Sequence, residues 1–140
     1  METYVQMKKR HQKEFEALPT FVAFSETQFQ EGISKIGASD RNEILCLCSG
    51  IYCKKSDKHL FEEYFRRTKQ ELIDAEKDFD FCVEMFKYEL GNHEYIITYD
   101  PEDAIYACGL SMEKVFEDPH FSKAFKTAKE QYLKECEKLS

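Results

Sequence analysis

The stretch that decides the fold is Ile44-Leu45-Cys46-Leu47-Cys48, followed by Ser49-Gly50 and by Ile51-Tyr52-Cys53. Two short apolar runs on either side of a Ser-Gly pair predict β structure. The pattern fits either a tight hairpin or one strand with a glycine bulge, and we favour the hairpin. Because helical patterns flank this stretch on both sides, the sequence predicts a mostly helical protein with a small sheet.

Before the hairpin, apolar or long amphipathic side chains recur at every third or fourth residue, as on one face of a helix. They are Tyr4, Met7, His11, Phe15 and Leu18. The pattern predicts a helix over residues 2–17, ended by Pro19. Ser25-x-x-Gln28 then matches a capping box, which predicts a second helix that ends at Gly37.

After the hairpin, the 3.6-residue period predicts a long helix over residues 57–77. Asp78, Asp100-Pro101 and Asp118-Pro119 are typical starts of further helices. Between them, residues 95–99 (Tyr-Ile-Ile-Thr-Tyr) have strand composition and are a candidate third strand. The predicted fold class is therefore α+β: a mostly helical single domain over residues 1–140, with a small antiparallel sheet built on a hairpin near residues 43–55.

The charge is concentrated in one part of the chain. The 140 residues contain 27 acidic and 20 basic side chains, and residues 71–118 alone contain 14 acidic and 3 basic ones. Such a field repels nucleic acid, so we expect no direct nucleic-acid binding. The acidic stretch either keeps the protein soluble or attracts a partner with a basic surface. The candidate partner-binding residues are Asp78, Asp80, Glu84, Glu102, Asp103, Glu117 and Asp118.

No apolar run approaches the roughly 18 residues that a membrane helix needs, so no membrane association is expected. The first residues also lack the apolar core of a signal peptide. Together these features predict a cytoplasmic protein.

Residues 89–95 (Glu-Leu-Gly-Asn-His-Glu-Tyr) are the densest group of polar residues. Glu89, His93 and Glu94 are candidate catalytic residues, because a histidine beside carboxylates can move protons near neutral pH. A structural explanation competes: Asn92 would end a helix in the left-handed conformation, and His93 would interact with the helix dipole. Ile97 stands where a zinc-binding H-E-x-x-H helix has its second histidine, so no metal is predicted here.

The cysteines predict thiols rather than a metal site. Cys46, Cys48 and Cys53 lie close together, but no second Cys or His pair follows at zinc-ligand spacing. No catalytic cysteine signature occurs either. We therefore expect neither metal nor cofactor.

Several segments resemble a family of small uncharacterised proteins, a domain of unknown function, from gut bacteria and their phages or mobile elements. The resemblance covers nearly the whole chain, and the segments that carry it are Lys9-Arg10-His11-Gln12-Lys13-Glu14, Phe21-x-Ala23-Phe24-Ser25, Met85-Phe86-x-Tyr88-Glu89-Leu90-x-Asn92-His93-Glu94-Tyr95, Asp103-Ala104 and Asp118-Pro119. It implies a genomic setting and a shared fold. It transfers no catalytic or binding residues.

These observations lead to two functional hypotheses. The first is a non-enzymatic accessory protein of a phage or mobile element that binds and modulates a host protein through its acidic face. A defence nuclease is a candidate target, because its nucleic-acid groove is basic, and the protein would then be an anti-defence inhibitor. The alternative is a small enzyme or ligand-binding domain that uses the Asn92-His93-Glu94-Tyr95 corner.

Overall fold

A computed structural model describes residues 1–139 and has the predicted α+β class. In this part of the chain, eight α-helices accompany one three-stranded antiparallel sheet. The elements in chain order are α1 (Tyr4–Glu16), β1 (Phe21–Val22), α2 (Glu26–Lys35), β2 (Ile44–Cys48), β3 (Ile51–Lys54), α3 (Lys58–Ala75), α4 (Phe79–Asn92), α5 (Tyr95–Thr98), α6 (Glu102–Ala107), α7 (Met112–Glu117) and α8 (Pro119–Lys138). Single 3-10 turns at Arg41–Glu43 and Lys55–Asp57 lead into and out of the hairpin.

The chain forms two compact units. The sheet unit consists of Lys9–Glu71, and the helical unit consists of Met1–Lys8 together with the chain from residue 72 onwards. The boundaries fall inside α1 and α3. That residues 1–140 behave as one domain stays a prediction.

The sheet unit confirms the predicted hairpin. Strands β2 and β3 pair antiparallel, with a register shift between Cys46 and Cys48, so the hairpin also contains an irregularity. Gly50 takes a φ of +80° at the turn, a conformation that side chains other than glycine rarely adopt. The core below the sheet consists of Phe21, Ala23, Phe29 and Ile33, with Tyr52 packed against it.

The predicted third strand at residues 95–99 is wrong. Residues Tyr95–Thr98 form the short helix α5, closed by a hydrogen bond from the Tyr99 amide to the Tyr95 carbonyl oxygen (2.8 Å). The third strand is β1, which pairs with β3 because the Phe21 ring stacks on Tyr52 at 5.4 Å. Long-range packing thus overrides the strand composition of residues 95–99.

In the helical unit, α4 packs against α6 and α8 around a continuous apolar core. Fully enclosed side chains at its centre include Met85, Phe86, Leu90, Ile105 and Val115. The helices begin at the predicted residues: Asp78 accepts a hydrogen bond from the Phe81 amide (2.8 Å), and Asp118 accepts one from the His120 amide (2.9 Å).

No helix among residues 1–139 is both long enough and apolar enough to cross a lipid bilayer.

Candidate functional site

The predicted acidic residues lie mostly at helix starts of the helical unit. Asp78 and Asp118 cap α4 and α8, while Asp80, Glu102 and Asp103 occupy first turns. Carboxylates are favoured there because they interact with unpaired amides and with the positive end of the helix dipole. Part of the acidic pattern in the sequence is therefore explained by helix capping.

The capping carboxylates of Asp78 and Asp118 already have hydrogen-bond or ion-pair partners within the helical unit. Asp118 accepts hydrogen bonds from the amides of His120 (2.9 Å) and Phe121 (3.4 Å), and pairs with Lys114 at 3.4 Å. The pKa of Asp118 lies below its usual value because these hydrogen bonds and Lys114 outweigh the effect of partial burial. Asp78 and Asp118 both raise the pKa of Cys82, so the two caps lie near the same thiol.

Four other acidic side chains of the predicted set are neither hydrogen-bonded nor paired. Within residues 1–139, Asp80, Glu84, Asp103 and Glu117 take part in no side-chain hydrogen bond or ion pair. Asp80, Asp103 and Glu117 are exposed and Glu84 is half-buried. Asp80 and Glu84 lie one turn apart on α4, and so on the same side of that helix. These four carboxylates are available to an external cation.

Glu102 is intermediate between these two groups, since it accepts a hydrogen bond from the Tyr106 hydroxyl (2.9 Å). That bond, with the negative charges of Glu102, Asp100 and Asp103, raises the pKa of Tyr106. The start of α6 is therefore a region of concentrated negative potential at the surface.

The three candidate catalytic residues, Glu89, His93 and Glu94, differ in burial. Glu89 is completely enclosed in the helical unit and pairs with the Lys8 ammonium at 3.2 Å. Tyr4 donates a hydrogen bond to the same carboxylate, and burial together with the charge of Glu89 raises the pKa of that phenol. Asn92 donates a further hydrogen bond to Glu89 (3.4 Å). A buried charge that is paired and hydrogen-bonded in this way has a structural explanation.

His93 and Glu94 follow at the end of α4. His93 is the half-buried C-cap residue, and its backbone amide donates to the Glu89 carbonyl oxygen (3.0 Å). Glu94, rather than Asn92, adopts the left-handed conformation, with a φ of 56°. An open groove of about 470 Å³ lies beside Gly91 and Asn92, but its lining does not include Glu89, His93 or Glu94. A shared cavity for His93 and a carboxylate is what the enzymatic alternative requires.

The structure also brings together a cluster that sequence reasoning missed. The carbonyl oxygen of Glu76 accepts hydrogen bonds from Cys82 Sγ (2.9 Å) and from His120 Nε2 (2.7 Å). The Glu76 carboxyl itself is only 6% exposed, and burial raises its pKa to about 7. No local pattern could reveal this cluster, because 44 residues separate Glu76 from His120.

A cysteine and a histidine this close raise the question of nucleophilic catalysis. The Cys82 sulfur lies 3.6 Å from His120 Nε2, but both groups donate to the same carbonyl oxygen. His120 Nε2 therefore carries a proton and is not placed to accept the thiol proton. Burial raises the pKa of Cys82 to about 12, and the residue is completely enclosed. The cluster is a packed polar contact rather than an activated nucleophile.

The remaining cysteines are thiols. Cys46 and Cys48 are exposed, and Cys53 is buried beneath the hairpin, where burial raises the pKa of its thiol. Cys46 Sγ donates to the Cys48 carbonyl oxygen at 3.1 Å. Over residues 1–139, no group of three or more His, Cys, Asp or Glu side chains is arranged to hold a metal ion.

Comparison with known proteins identifies the family of this chain. A model of a family of unknown function, DUF7659, matches residues 3–131. The chain belongs to this family. No curated protein matches it, and no solved structure does.

Proposed function

We propose that this protein is a non-enzymatic, cytoplasmic accessory protein of a phage or mobile element that binds and modulates a host protein with a basic surface. In this role the protein contacts neither nucleic acid nor a membrane directly. A defence nuclease is the target class that we favour, because its nucleic-acid groove is basic and would complement the acidic surface. The observation that carries it is a set of carboxylates in the helical unit that have no partner within residues 1–139: Asp80, Glu84, Asp103 and Glu117.

The charge of that unit supports the proposal. The helical unit contains 17 acidic and 9 basic side chains. Glu89 and Glu76 are enclosed. The surplus of negative charge at the surface therefore comes from the exposed acids. Complementary potential accelerates encounter with a basic surface and helps to exclude partners of the wrong sign.

The test is affinity purification of the tagged protein from its host, with mass spectrometry of the co-purifying proteins. The variant D80N/D103N/E117Q removes three exposed, unpaired carboxylates and leaves the capping residues Asp78 and Asp118 unchanged. The matched control is E16Q/E31Q/E62Q, which changes the net charge equally but lies in the sheet unit.

We expect the wild-type protein and the control to retain one stoichiometric basic partner, and the first variant to bind it at least roughly tenfold more weakly. A partner that is retained equally by both variants contradicts the proposal. A protein that elutes alone also contradicts it, and directs attention to the alternative, a small-molecule site at Asn92-His93-Glu94-Tyr95.

A further inference from the structure

Residues 94–106, which we name the 94–106 face, expose several apolar side chains within a short stretch. Ile97 is 73% exposed, Tyr99 62% and Tyr106 55%, and Ile96 is partly exposed beside them. Single exposed apolar residues are common at protein surfaces, but three large ones within ten residues of chain are a candidate interaction site. Tyrosine in particular is enriched among the residues that dominate binding energy.

Contacts of Tyr95 and of the Ile96 amide hold helix α5, which carries Ile96 and Ile97. Tyr95 is buried and contacts the rings of Tyr99 (5.7 Å) and Tyr132 (6.2 Å). The Tyr132 hydroxyl oxygen also accepts a hydrogen bond from the Ile96 amide (3.3 Å). These contacts anchor the backbone of α5, so less backbone entropy is lost when a partner binds.

The backbone of this segment is strained at both ends of α5. Glu94 and Tyr99 adopt left-handed conformations, with φ values of 56° and 55°, and they are the only non-glycine residues among 1–139 with positive φ. Such a conformation is unfavourable for residues other than glycine and persists only where the surroundings enforce it. The two residues flank α5 on either side.

The charge of the face specifies the partner. Residues 94–106 contain Glu94, Asp100, Glu102 and Asp103 and no Lys or Arg. None of the four carboxylates forms an ion pair within the described part of the chain. An acidic or uncharged apolar partner would cover these carboxylates without matching them, at a cost in desolvation. A partner that carries both apolar and basic side chains would match both features.

We propose that the 94–106 face docks a basic amphipathic segment of the partner protein, with Ile97, Tyr99 and Tyr106 as apolar anchors and the surrounding carboxylates as acceptors for Lys and Arg. The inference rests on the proposed function and specifies its contact surface. An amphipathic helix that lays its apolar side onto such a face is an established mode of peptide recognition.

The experiment uses a fluorescein-labelled helical peptide of leucine and lysine in amphipathic order, and the same peptide with glutamate in place of every lysine. Fluorescence anisotropy at physiological salt measures the affinity of each peptide for the full-length protein. The variants I97S and Y106S each remove one exposed anchor. I73S is the matched control, because Ile73 is an exposed isoleucine of the helical unit outside the face. Circular dichroism verifies that all variants are folded.

We expect the wild-type protein to bind the lysine peptide and not the glutamate peptide. I97S and Y106S should each weaken binding roughly tenfold, and I73S should leave it unchanged. The inference is overturned if the wild-type protein does not bind the lysine peptide, if both anchor variants bind it like the wild type, or if I73S weakens it as much as I97S.

The two proposals fail separately. A host partner captured equally by wild type and I97S would overturn the docking face while the proposed function stands. A face that binds the lysine peptide as expected, in a protein that captures no host partner, would overturn the proposed function and leave only the basic-peptide binding of the face.

Discussion

The sheet unit and the helical unit use charge in opposite ways. The sheet unit has 11 basic and 10 acidic side chains, whereas the helical unit has 9 basic and 17 acidic ones. In the sheet unit, Arg10 and Arg67 both pair with Glu14 and with Glu71. That unit therefore neutralises its own charge, and the helical unit does not.

The difference shows where the acidity has a structural role and where it has none. In the helical unit some carboxylates are enclosed, as at Glu89 and Glu76, and some cap helices, as at Asp78 and Asp118. The acids that remain, such as Asp103, are exposed and unpaired in the described chain. Enclosed and capping carboxylates should affect stability strongly when they are changed, and the remaining ones should affect mainly binding.

The largest effect on stability is expected at the ion pair between Lys8 and the enclosed Glu89. Lys8→Met removes the cation that faces the buried Glu89 carboxylate, and an unpaired buried charge is strongly unfavourable. Since the Lys8 side chain is 46% exposed, solvent screens the pair in part, and we expect a loss of about 2–3 kcal/mol. Urea denaturation measures it. Lys9→Met, the neighbouring exposed lysine on α1, should change stability by less than about 0.5 kcal/mol.

The double variant K8M/E89Q separates charge from packing. If the loss comes from the unpaired carboxylate, the added E89Q should recover a large part of it. If K8M/E89Q is no more stable than K8M, the Lys8 side chain contributes through packing and the electrostatic explanation is wrong.

The second effect is a pH dependence of the free energy of unfolding that comes from Glu76. Burial raises the pKa of Glu76 from 4.5 to about 7. Below about pH 4.5 both the folded and the unfolded chain hold this proton. Between these two values the unfolded chain releases it first, so the free energy of unfolding falls as pH rises, and it levels off above pH 7. We expect Glu76→Gln to be more stable than the wild type by about 2–3 kcal/mol at pH 8 and nearly equal to it near pH 4.5.

Chemical denaturation of both proteins across this pH range gives the measurement. The charged groups that act on Glu76 are Lys114 and His120, and the Cys82 thiol also senses its charge; all three are present in both proteins. The pH dependence of the difference between the two curves therefore reports Glu76 and its coupling to these groups. A difference that does not change with pH would contradict the raised pKa.

A smaller effect is expected in the sheet unit. Arg67 pairs with Glu14 and with Glu71 (2.8 Å for the latter), and its charge lies 5.8 Å from the Tyr64 ring. Because these side chains are about one-third exposed, Arg67→Met should cost only about 1 kcal/mol. Arg66→Met is the control, since Arg66 pairs only with the exposed Glu63 among described residues. Equal losses in thermal unfolding would show that the shared network adds nothing.

The smallest effect on stability is expected at the unpaired acids. D80N/D103N/E117Q should change the free energy of unfolding by no more than about 0.5 kcal/mol, because within residues 1–139 none of the three side chains has a hydrogen bond or ion pair to lose. The helix-dipole interaction lost at Asp80 and Asp103 is offset in part by removing the charge of Glu117 from the C-terminal end of α7. Thermal unfolding at low and physiological salt measures it. A clear destabilisation would mean that these carboxylates have a structural role, and the contrast between paired and unpaired acids would no longer hold.

Much of the fold could be predicted because its signals are local. The Ser49-Gly50 turn gives the hairpin, and Ser25, Asp78 and Asp118 cap helices as their positions predict. Each of these features depends on hydrogen bonds between residues close in sequence. Of the two alternatives that the sequence left open, the structure has the hairpin, and the register shift between Cys46 and Cys48 is a feature that the sequence did not predict.

The rest depends on residues far apart in the chain. Residues 95–98 form a helix because Tyr95 packs against Tyr132 and the chain turns at Glu94 and Tyr99. The candidate catalytic residue Glu89 is enclosed and pairs with Lys8 from the start of the chain. Neither contact leaves a local pattern, so composition alone placed residues 95–99 in a strand. Asp80 and Asp103 could be recognised as acidic, but only the structure shows that they are unpaired within residues 1–139.

The most direct test of the central claim is the salt dependence of binding to the partner recovered from the host. We expect the dissociation constant to rise steeply with salt for the wild type and for E16Q/E31Q/E62Q. For D80N/D103N/E117Q it should start higher and rise less. Equal dissociation constants and equal salt dependence for all three proteins would contradict the claim that the unpaired acids of the helical unit bind a basic partner.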